Sequence, residues 1–327
     1  MKKILLTLTL GLILYQTQAQ KAVNFSGQIS NANSNELIYL GLDGFLAPLK
    51  ILEDGTFTVD VVTQQTPSFF YFANLSKKGK IEQQTPLIWF KKDSIEVNFD
   101  WSNKPLQIQG LMSFQSISEK IEALKGKEQI NFILNNPNNI PSLYFANKHK
   151  EKISISDLET LLQEVNEEYK NSIQLRRIQS YVSAKRLKTL KKGEKVKDFK
   201  LPDKDGNQIS VINRSNKKHL IAIFSSGCSF SIASISLIEE LAELNNNKIE
   251  MTTIWDDKSK DTWLNTHQDK KSKITWTNLW DEYGFASTYL NRTMWPVFYV
   301  INEDGELTEI IKGYSKKTAR KLKALVE

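Results

Sequence analysis

Hydrophobic and polar positions follow two rhythms along this chain, and the change of rhythm divides it. From about Val23 to Ile108, short runs rich in β-branched and aromatic residues alternate with turn residues. These runs are Val23 to Ile29, Glu36 to Leu40, Leu49 to Leu52, Thr56 to Val62, Ser68 to Leu75, Leu87 to Phe90 and Ser94 to Phe99. Such segments predict strands, and Asp54-Gly55 between two of them predicts a hairpin turn. Short strands at this spacing imply a small antiparallel sandwich or barrel over residues 20–110. Phe69-Phe70-Tyr71-Phe72 reads as a strand buried on both faces, with a ligand-groove lining as the alternative. No catalytic constellation stands out in this stretch.

From about Ser113 to Leu190 the period becomes helical. Ser156-Asp157-Leu158-Glu159 reads as a capping box, in which a serine and a glutamate satisfy free N–H groups at a helix start. After it, Leu158, Leu161, Leu162, Val165 and Tyr169 fall on one helical face. Asn135 to Pro141 breaks the pattern, because proline lacks the N–H and restricts the residue before it. Residues 111–190 are therefore expected to be a helical connector. The basic stretch Lys185 to Lys197, with Gly193 as a stop, marks the boundary to a last domain and reads as a solvated face.

Residues 191–327 alternate strand and helix. Leu220 to Phe224, Ile249 to Trp255, Val297 to Ile301 and Leu307 to Ile311 read as strands. Ile232 to Leu244, Asp261 to His267, Tyr283 to Leu290 and Thr318 to Val326 read as helices, with Ile235, Ile238 and Leu241 facing inward. This alternation predicts an α/β sheet with helices on both faces.

At the other end, Met1-Lys2-Lys3, the apolar run Ile4 to Leu14, and Thr17 and Ala19 at the −3 and −1 positions read as a secretory signal peptide, residues 1–19. The apolar run is shorter than the roughly 20 residues a membrane span needs, and no later segment qualifies. Without a cysteine after the run, lipoprotein processing is not expected. The mature chain is expected to be soluble and periplasmic.

Composition changes this picture little. The 327 residues are 40% hydrophobic and 25% charged, which excludes a disordered or fibrous chain. The net charge of +7 becomes +5 once Lys2 and Lys3 are removed. That is mild, and it is not gathered into the patch a nucleic-acid binder presents. One cysteine rules out an internal disulfide or a multi-thiolate zinc site, and His149, His219 and His267 have no metal-ligand spacing. No cofactor or metal is expected.

The last domain resembles the thioredoxin-like proteins of the TlpA/ResA type, exported bacterial thiol-disulfide oxidoreductases. The likeness runs from about Gly193 to Glu327. Gly193 to Phe199 with Leu201 and Asp205-Gly206 is similar to that family's opening. Ser226-Gly227-Cys228-Ser229-Phe230-Ser231 stands where the family carries W-C-x-x-C. Met294-Trp295-Pro296-Val297-Phe298 resembles its proline-led strand, and Asn302 to Gly305 and Gly313 follow in order. The β-rich segment ahead also looks like a domain commonly fused to such modules. The resemblance implies a thioredoxin-like fold, Cys228 as nucleophile before the helix of Ile232 to Leu244, and a cis Pro296 across a substrate groove of Gly227, Ser229, Phe230, Trp295 and Pro296. A helix N-terminus favours a negative charge, and the thiolate is the attacking species.

Departures from the family pattern carry equal weight. Ser231 replaces the resolving cysteine, giving C-x-x-S; Gly227 replaces a tryptophan; Trp295 stands where a small or β-branched residue is usual. An internal disulfide is impossible, so two-electron storage in one chain is excluded. Two readings stay open. In one, Cys228 exchanges with protein or low-molecular-weight thiols and disulfides, and Ser231 donates a hydrogen bond to its thiolate. In the other, redox activity is lost, Cys228 is a small buried residue, and the groove around Trp295 binds an envelope protein or peptide. Trp255, Trp263, Trp276 and Trp280 are expected to pack in the core, with Trp295 lining the groove. The basic end, Lys312 to Lys323, reads as a solvated helix face, with an anionic envelope partner as the alternative.

Overall fold

A computed structural model of the chain describes residues 21–31, 38–42, 45–63, 67–76, 79–91, 94–102, 107–108, 113–188, 190–212, 217–245 and 248–326. The expected signal peptide, residues 1–19, lies outside them. The chain divides into two compact units, Met1–Gln115 and Ser116–Glu327.

Among the described residues of the first unit, nine strands form two sheets. β1 (Lys21–Ser30), β4 (Thr56–Thr63), β8 (Ser94–Asp100) and β9 (Gln107–Ile108) make one, in the order β4-β1-β8-β9. The other holds β2 (Ile38–Leu42), β3 (Phe45–Pro48), β5 (Ser68–Leu75), β6 (Ile81–Gln84) and β7 (Ile88–Phe90), in the order β3-β2-β5-β6 with β7 also on β5. β8 buries every second residue, Ile95, Val97 and Phe99, as a half-buried strand must. Phe25 from one sheet meets Phe70 from the other edge-on at 4.8 Å, an arrangement the ring quadrupole favours. Phe69, Phe70 and Phe72 are all buried, which supports the core reading of that stretch.

Three details differ from expectation. β1 pairs with β8 in parallel, so the sheet is mixed. Leu49 to Leu52 is not a strand; the strand is Phe45–Pro48, just before it. Asp54-Gly55 does form a tight turn, with Gly55 at φ +81° donating its N–H to Leu52 O at 2.9 Å. The strands on either side, β3 and β4, belong to different sheets, so the turn is a corner and not a hairpin.

Among the described residues, five α-helices open the second unit: α1 (Gln115–Ala123, straddling the division), α2 (Gly126–Leu134), α3 (Ile140–His149), α4 (Ile155–Glu164) and α5 (Ile173–Arg186). Asn139 caps α3, and Pro141 sits in its first turn, where no intrahelical N–H is needed. The cap of α4 is Ser154 and not Ser156: its Oγ accepts the Asp157 N–H at 3.1 Å and donates to Asp157 Oδ2 at 2.6 Å. Asp157 thus stands at the position expected of Glu159, two residues earlier, with its carboxylate on the Ser154 hydroxyl. The connector helices fold with the last domain. Ala184 and Leu190 share a core with Tyr289, Leu290 and Ile301, and Arg176 Nη1 donates to Tyr283 Oη at 3.0 Å. Gly193 N–H bonds Leu307 O at 2.8 Å and Val196 N–H bonds Gly305 O at 2.9 Å, so the stretch expected to be a boundary is tied into the unit.

A short hairpin of β10 (Lys200–Pro202) and β11 (Gln208–Ser210) precedes a five-stranded sheet. Its strands are β12 (Lys218–Phe224), β13 (Ile249–Trp255), β14 (Thr277–Trp280), β15 (Val297–Ile301) and β16 (Leu307–Lys312), ordered β14-β13-β12-β15-β16. β13 and β14 run parallel to their inner neighbours, and β15 and β16 antiparallel. Helices α6 (Ser229–Leu244), α7 (Lys260–Asn265), α8 (Gln268–Lys271), α9 (Phe285–Tyr289) and α10 (Lys316–Lys323) complete the unit.

β12 is buried on both faces, and its residues alternate between two cores. Ile221 and Ile223 face one with Phe199, Ile254 and Tyr299. Leu220, Ala222 and Phe224 face the other with Ile235, Ile238, Leu241 and Leu322. This two-sided burial explains why β12 is nearly all apolar. On α10, Lys321 and Lys323 pair with Glu309 and Glu240, in keeping with a solvated face.

Candidate functional site

The central strand β12 ends at Phe224 and α6 begins at Ser229, so residues 225–228 form a short loop at the carboxyl end of the sheet. Open α/β sheets place their ligands at this end. Cys228 is the N-cap of α6, extended at φ −106° and ψ 112°, with no side-chain cap hydrogen bond. Its carbonyl accepts the Ile232 N–H at 3.1 Å. Cys228 is half-buried, more exposed than the inactive reading expects.

Pairing of β12 with β15 sets Ile223 opposite Val297, which brings the segment before Val297 alongside the loop. The Trp295-Pro296 peptide is cis, and Cys228 Sγ donates to Trp295 O at 3.5 Å. Pro296 is buried, whereas Trp295, Met294 and Phe230 keep 36%, 43% and 58% of their surface exposed. Three large apolar side chains are thus exposed on the two short segments that meet at the thiol. Gly227 and Ser229 are exposed, and a Cβ on Gly227 would meet only Ser225 Oγ at 3.8 Å. The missing tryptophan therefore leaves open space beside the thiol.

Ser231 does not make the hydrogen bond expected of it. It is fully buried, and its Oγ accepts the Ser225 N–H at 3.3 Å. Among the described residues it makes no hydrogen bond to the thiol; it ties the first turn of α6 back to the loop.

Two groups behind this surface were not among the residues expected from the sequence. Asp257, after β13, accepts from Ser226 N at 2.9 Å, Ser226 Oγ at 2.7 Å and Ser225 Oγ at 3.4 Å. Lys271, buried at the end of α8, donates to Ser226 Oγ at 2.5 Å, to Thr262 O at 3.2 Å and to Trp263 O. Its Nζ stands 4.3 Å from the centre of the Trp255 ring. Burial pulls the Lys271 ammonium down to about 8, partly opposed by Asp257. The second group is Arg292, whose guanidinium stacks 4.1 Å from the Trp295 ring centre while its Nε sits 2.8 Å from Asp256 Oδ2. Nε is off the line of a good hydrogen bond, so this contact is an ion pair. Burial, with the Asp281 carboxylate next, pushes Asp256 up to about 6 against the pull of Arg292. Asp281 is fully buried and also raised by burial, although Ala286 and Ser287 N–H groups bond it at 3.1 and 2.8 Å.

Asp256-Asp257 closing a buried strand was a readable signal for an acidic site. Lys271, next to Lys270 in a polar stretch, looks like any solvated lysine. No group of three or more His, Cys, Asp or Glu side chains among the described residues is placed to hold a metal.

Several solved structures resemble part of the chain. The thioredoxin domain of a thiol-disulfide oxidoreductase from Bacteroides vulgatus is 14% identical, covers 42% of this chain and 100% of its own, and has a TM-score of 0.37. A thiol-disulfide oxidoreductase from Bacteroides fragilis is 19% identical over 40% of this chain and 99% of its own, at 0.35. StoA from Bacillus subtilis is 19% identical over 40% and 97%, at 0.33. No curated protein matches the chain. The Redoxin family model matches residues 191–326, a span that holds the five-stranded sheet, the Cys228 loop and the cis proline. The C-terminal part of this chain is a thioredoxin-like domain, similar over residues 191–326 to the Redoxin family.

Proposed function

We propose that this is an exported thioredoxin-like protein that exchanges thiols and disulfides in the cell envelope through the single nucleophile Cys228. The observation that carries the reading is the partly exposed thiol at the N-cap of α6, 3.5 Å from the carbonyl that precedes the cis proline. Export and a periplasmic location rest on the residue 1–19 signal pattern.

The chemistry balances without a stored oxidant. The Cys228 thiolate attacks one sulfur of a substrate disulfide; that S–S bond breaks, the other sulfur leaves as a thiolate, and a Cys228–substrate mixed disulfide forms. A thiol from a second protein or a low-molecular-weight compound then attacks the mixed disulfide as its thiolate. Cys228 is released reduced, and the new disulfide leaves with the two partners. With serine at 231, the resolving thiol has to come from outside the chain.

The exposed Phe230, Met294 and Trp295 favour a second reading, a redox-inactive module that binds an envelope protein or peptide through this patch. Intact-mass analysis after incubation with glutathione disulfide separates the two. The first reading expects one glutathione adduct on the full chain, reversed by dithiothreitol and absent in Cys228→Ser. A folded wild-type chain that forms no adduct leaves only the binding module.

A further inference from the structure

The three-residue chain Lys271, Ser226, Asp257 lies under the loop that carries the nucleophile, and nothing in the exchange chemistry uses it. Ser226 is its hinge. Its hydroxyl accepts from Lys271 Nζ at 2.5 Å and donates to Asp257 Oδ2 at 2.7 Å, while its N–H donates to Asp257 Oδ1 at 2.9 Å. All three residues are buried. An ammonium group has three protons, and Lys271 directs them at three acceptors: Ser226 Oγ and the carbonyls of Thr262 and Trp263 near the end of α7. The cation also lies over the Trp255 ring. Burying a lysine is costly unless every proton finds a partner, and here each one does, at a place where an apolar side chain could have filled the space.

The network extends to the nucleophile itself. Ser225 Oγ reaches Asp257 Oδ1 and accepts the Gly227 N–H at 3.3 Å. Ser225 O accepts the Cys228 N–H at 3.1 Å, and Ser225 N–H is held by Ser231 Oγ. Each residue from 225 to 228 is thereby fixed by at least one hydrogen bond, and the loop is anchored to β13 and α8 through Asp257 and Lys271. We propose that Lys271 is a positioning residue for Cys228, acting through Ser226 and Asp257 to hold the thiol opposite the Trp295 carbonyl. This rests on the reading of Cys228 as the nucleophile.

Displacement at a disulfide needs the three sulfurs nearly in line, and a substrate segment held beside Pro296 fixes the direction of approach. A small alkylating agent reaches the same thiolate from many directions. Loosening the loop therefore has different effects on the two reactions, whereas a purely structural role would move both or neither. The test compares the full-length wild type with Lys271→Met, Ser226→Ala and the double variant, using iodoacetamide and a mixed disulfide between a short peptide and 2-nitro-5-thiobenzoate. Misplacement by an ångström can cost up to about a hundredfold in an oriented reaction, so each single variant should lose about tenfold or more against the peptide disulfide and stay within about twofold against iodoacetamide. Because Lys271 acts through Ser226, the double variant should lose little beyond either single one. If Lys271→Met fails to fold, Ser226→Ala carries the comparison alone. Equal rates for variants and wild type overturn the proposal, as do parallel losses in both reactions or losses that multiply in the double variant. A wild-type thiol inert to both reagents would instead remove the nucleophile reading, and this inference with it.

Discussion

Asp256 provides the sharpest quantitative test of the architecture behind Trp295. Its carboxyl is pushed from 3.8 to about 6, first by burial and then by Asp281, and Arg292 only partly offsets this. A tenfold change in proton affinity is worth about 1.4 kcal/mol, so the shift amounts to about 3 kcal/mol. The folded-state value lies above the unfolded one, so between about pH 4 and 6 the folded chain keeps a proton that the unfolded chain has lost. The contribution of this group is therefore most favourable below about pH 4, declines as the pH rises through that window, and is flat above it. Asparagine keeps the shape and an oxygen for Arg292 but does not ionise. The free-energy difference between Asp256→Asn and wild type should accordingly move in favour of the variant by about 2–3 kcal/mol from pH 4 to pH 7. Urea titrations of the full chain at several pH values, followed by tryptophan fluorescence, measure it. Five of the seven tryptophans, Trp255, Trp263, Trp276, Trp280 and Trp295, report on the second unit. Groups distant from Asp256 cancel in the comparison, whereas Asp281 loses the repulsion of its neighbour in the variant and adds to the same trend. A difference that stays constant across the range, or moves the other way, refutes the assignment.

Ser231→Cys recreates C-x-x-C at the start of α6, and the variant should form an internal disulfide under mild oxidation and gain dithiol reductase activity towards a generic protein disulfide; absence of both, read by thiol titration and an insulin-reduction assay, would falsify the family-like placement of residue 231. Trp295→Ala removes the ring stacked on Arg292, a contact worth about 0.5–1 kcal/mol where exposed, and should lower the second unit's melting midpoint slightly while weakening peptide engagement more than iodoacetamide reactivity. Gly27→Ala should be severe. Gly27 has φ +152°, and an added Cβ would lie 1.9 Å from Val97 O, in the β1–β8 pairing. A loss of more than about 3 kcal/mol in the first unit is expected, combining backbone strain with lost strand pairing. A near-wild-type transition followed at Trp89 and Trp101 would contradict that register.

The sequence by itself determined the elements whose cause is local. β5, β13 and β15 have the bounds expected from their runs of β-branched and aromatic residues to within a residue. The order of Cys228, helix α6 and the proline-led strand was also legible, through the resemblance to a known family whose motifs lie along the chain. Where a choice depended on a partner distant in sequence, only the tertiary structure decided it. The parallel β1–β8 pair and the sheet-to-sheet corner at Gly55 follow from which surfaces bury together, and alternation along one strand does not say which neighbour it takes. The connector helices joined the second unit because the side of α5 bearing Ala184 packs on a core shared with Tyr289 and Leu290. Ser231 turned to the Ser225 N–H because the first turn of α6 is closed against the loop. Lys271 and Arg292 look like ordinary surface cations in the sequence. Their roles exist only because the fold buries Lys271, half-buries Arg292 and sets Ser226, Asp257, Asp256 and Trp295 within reach, and burial is a property of the whole packing.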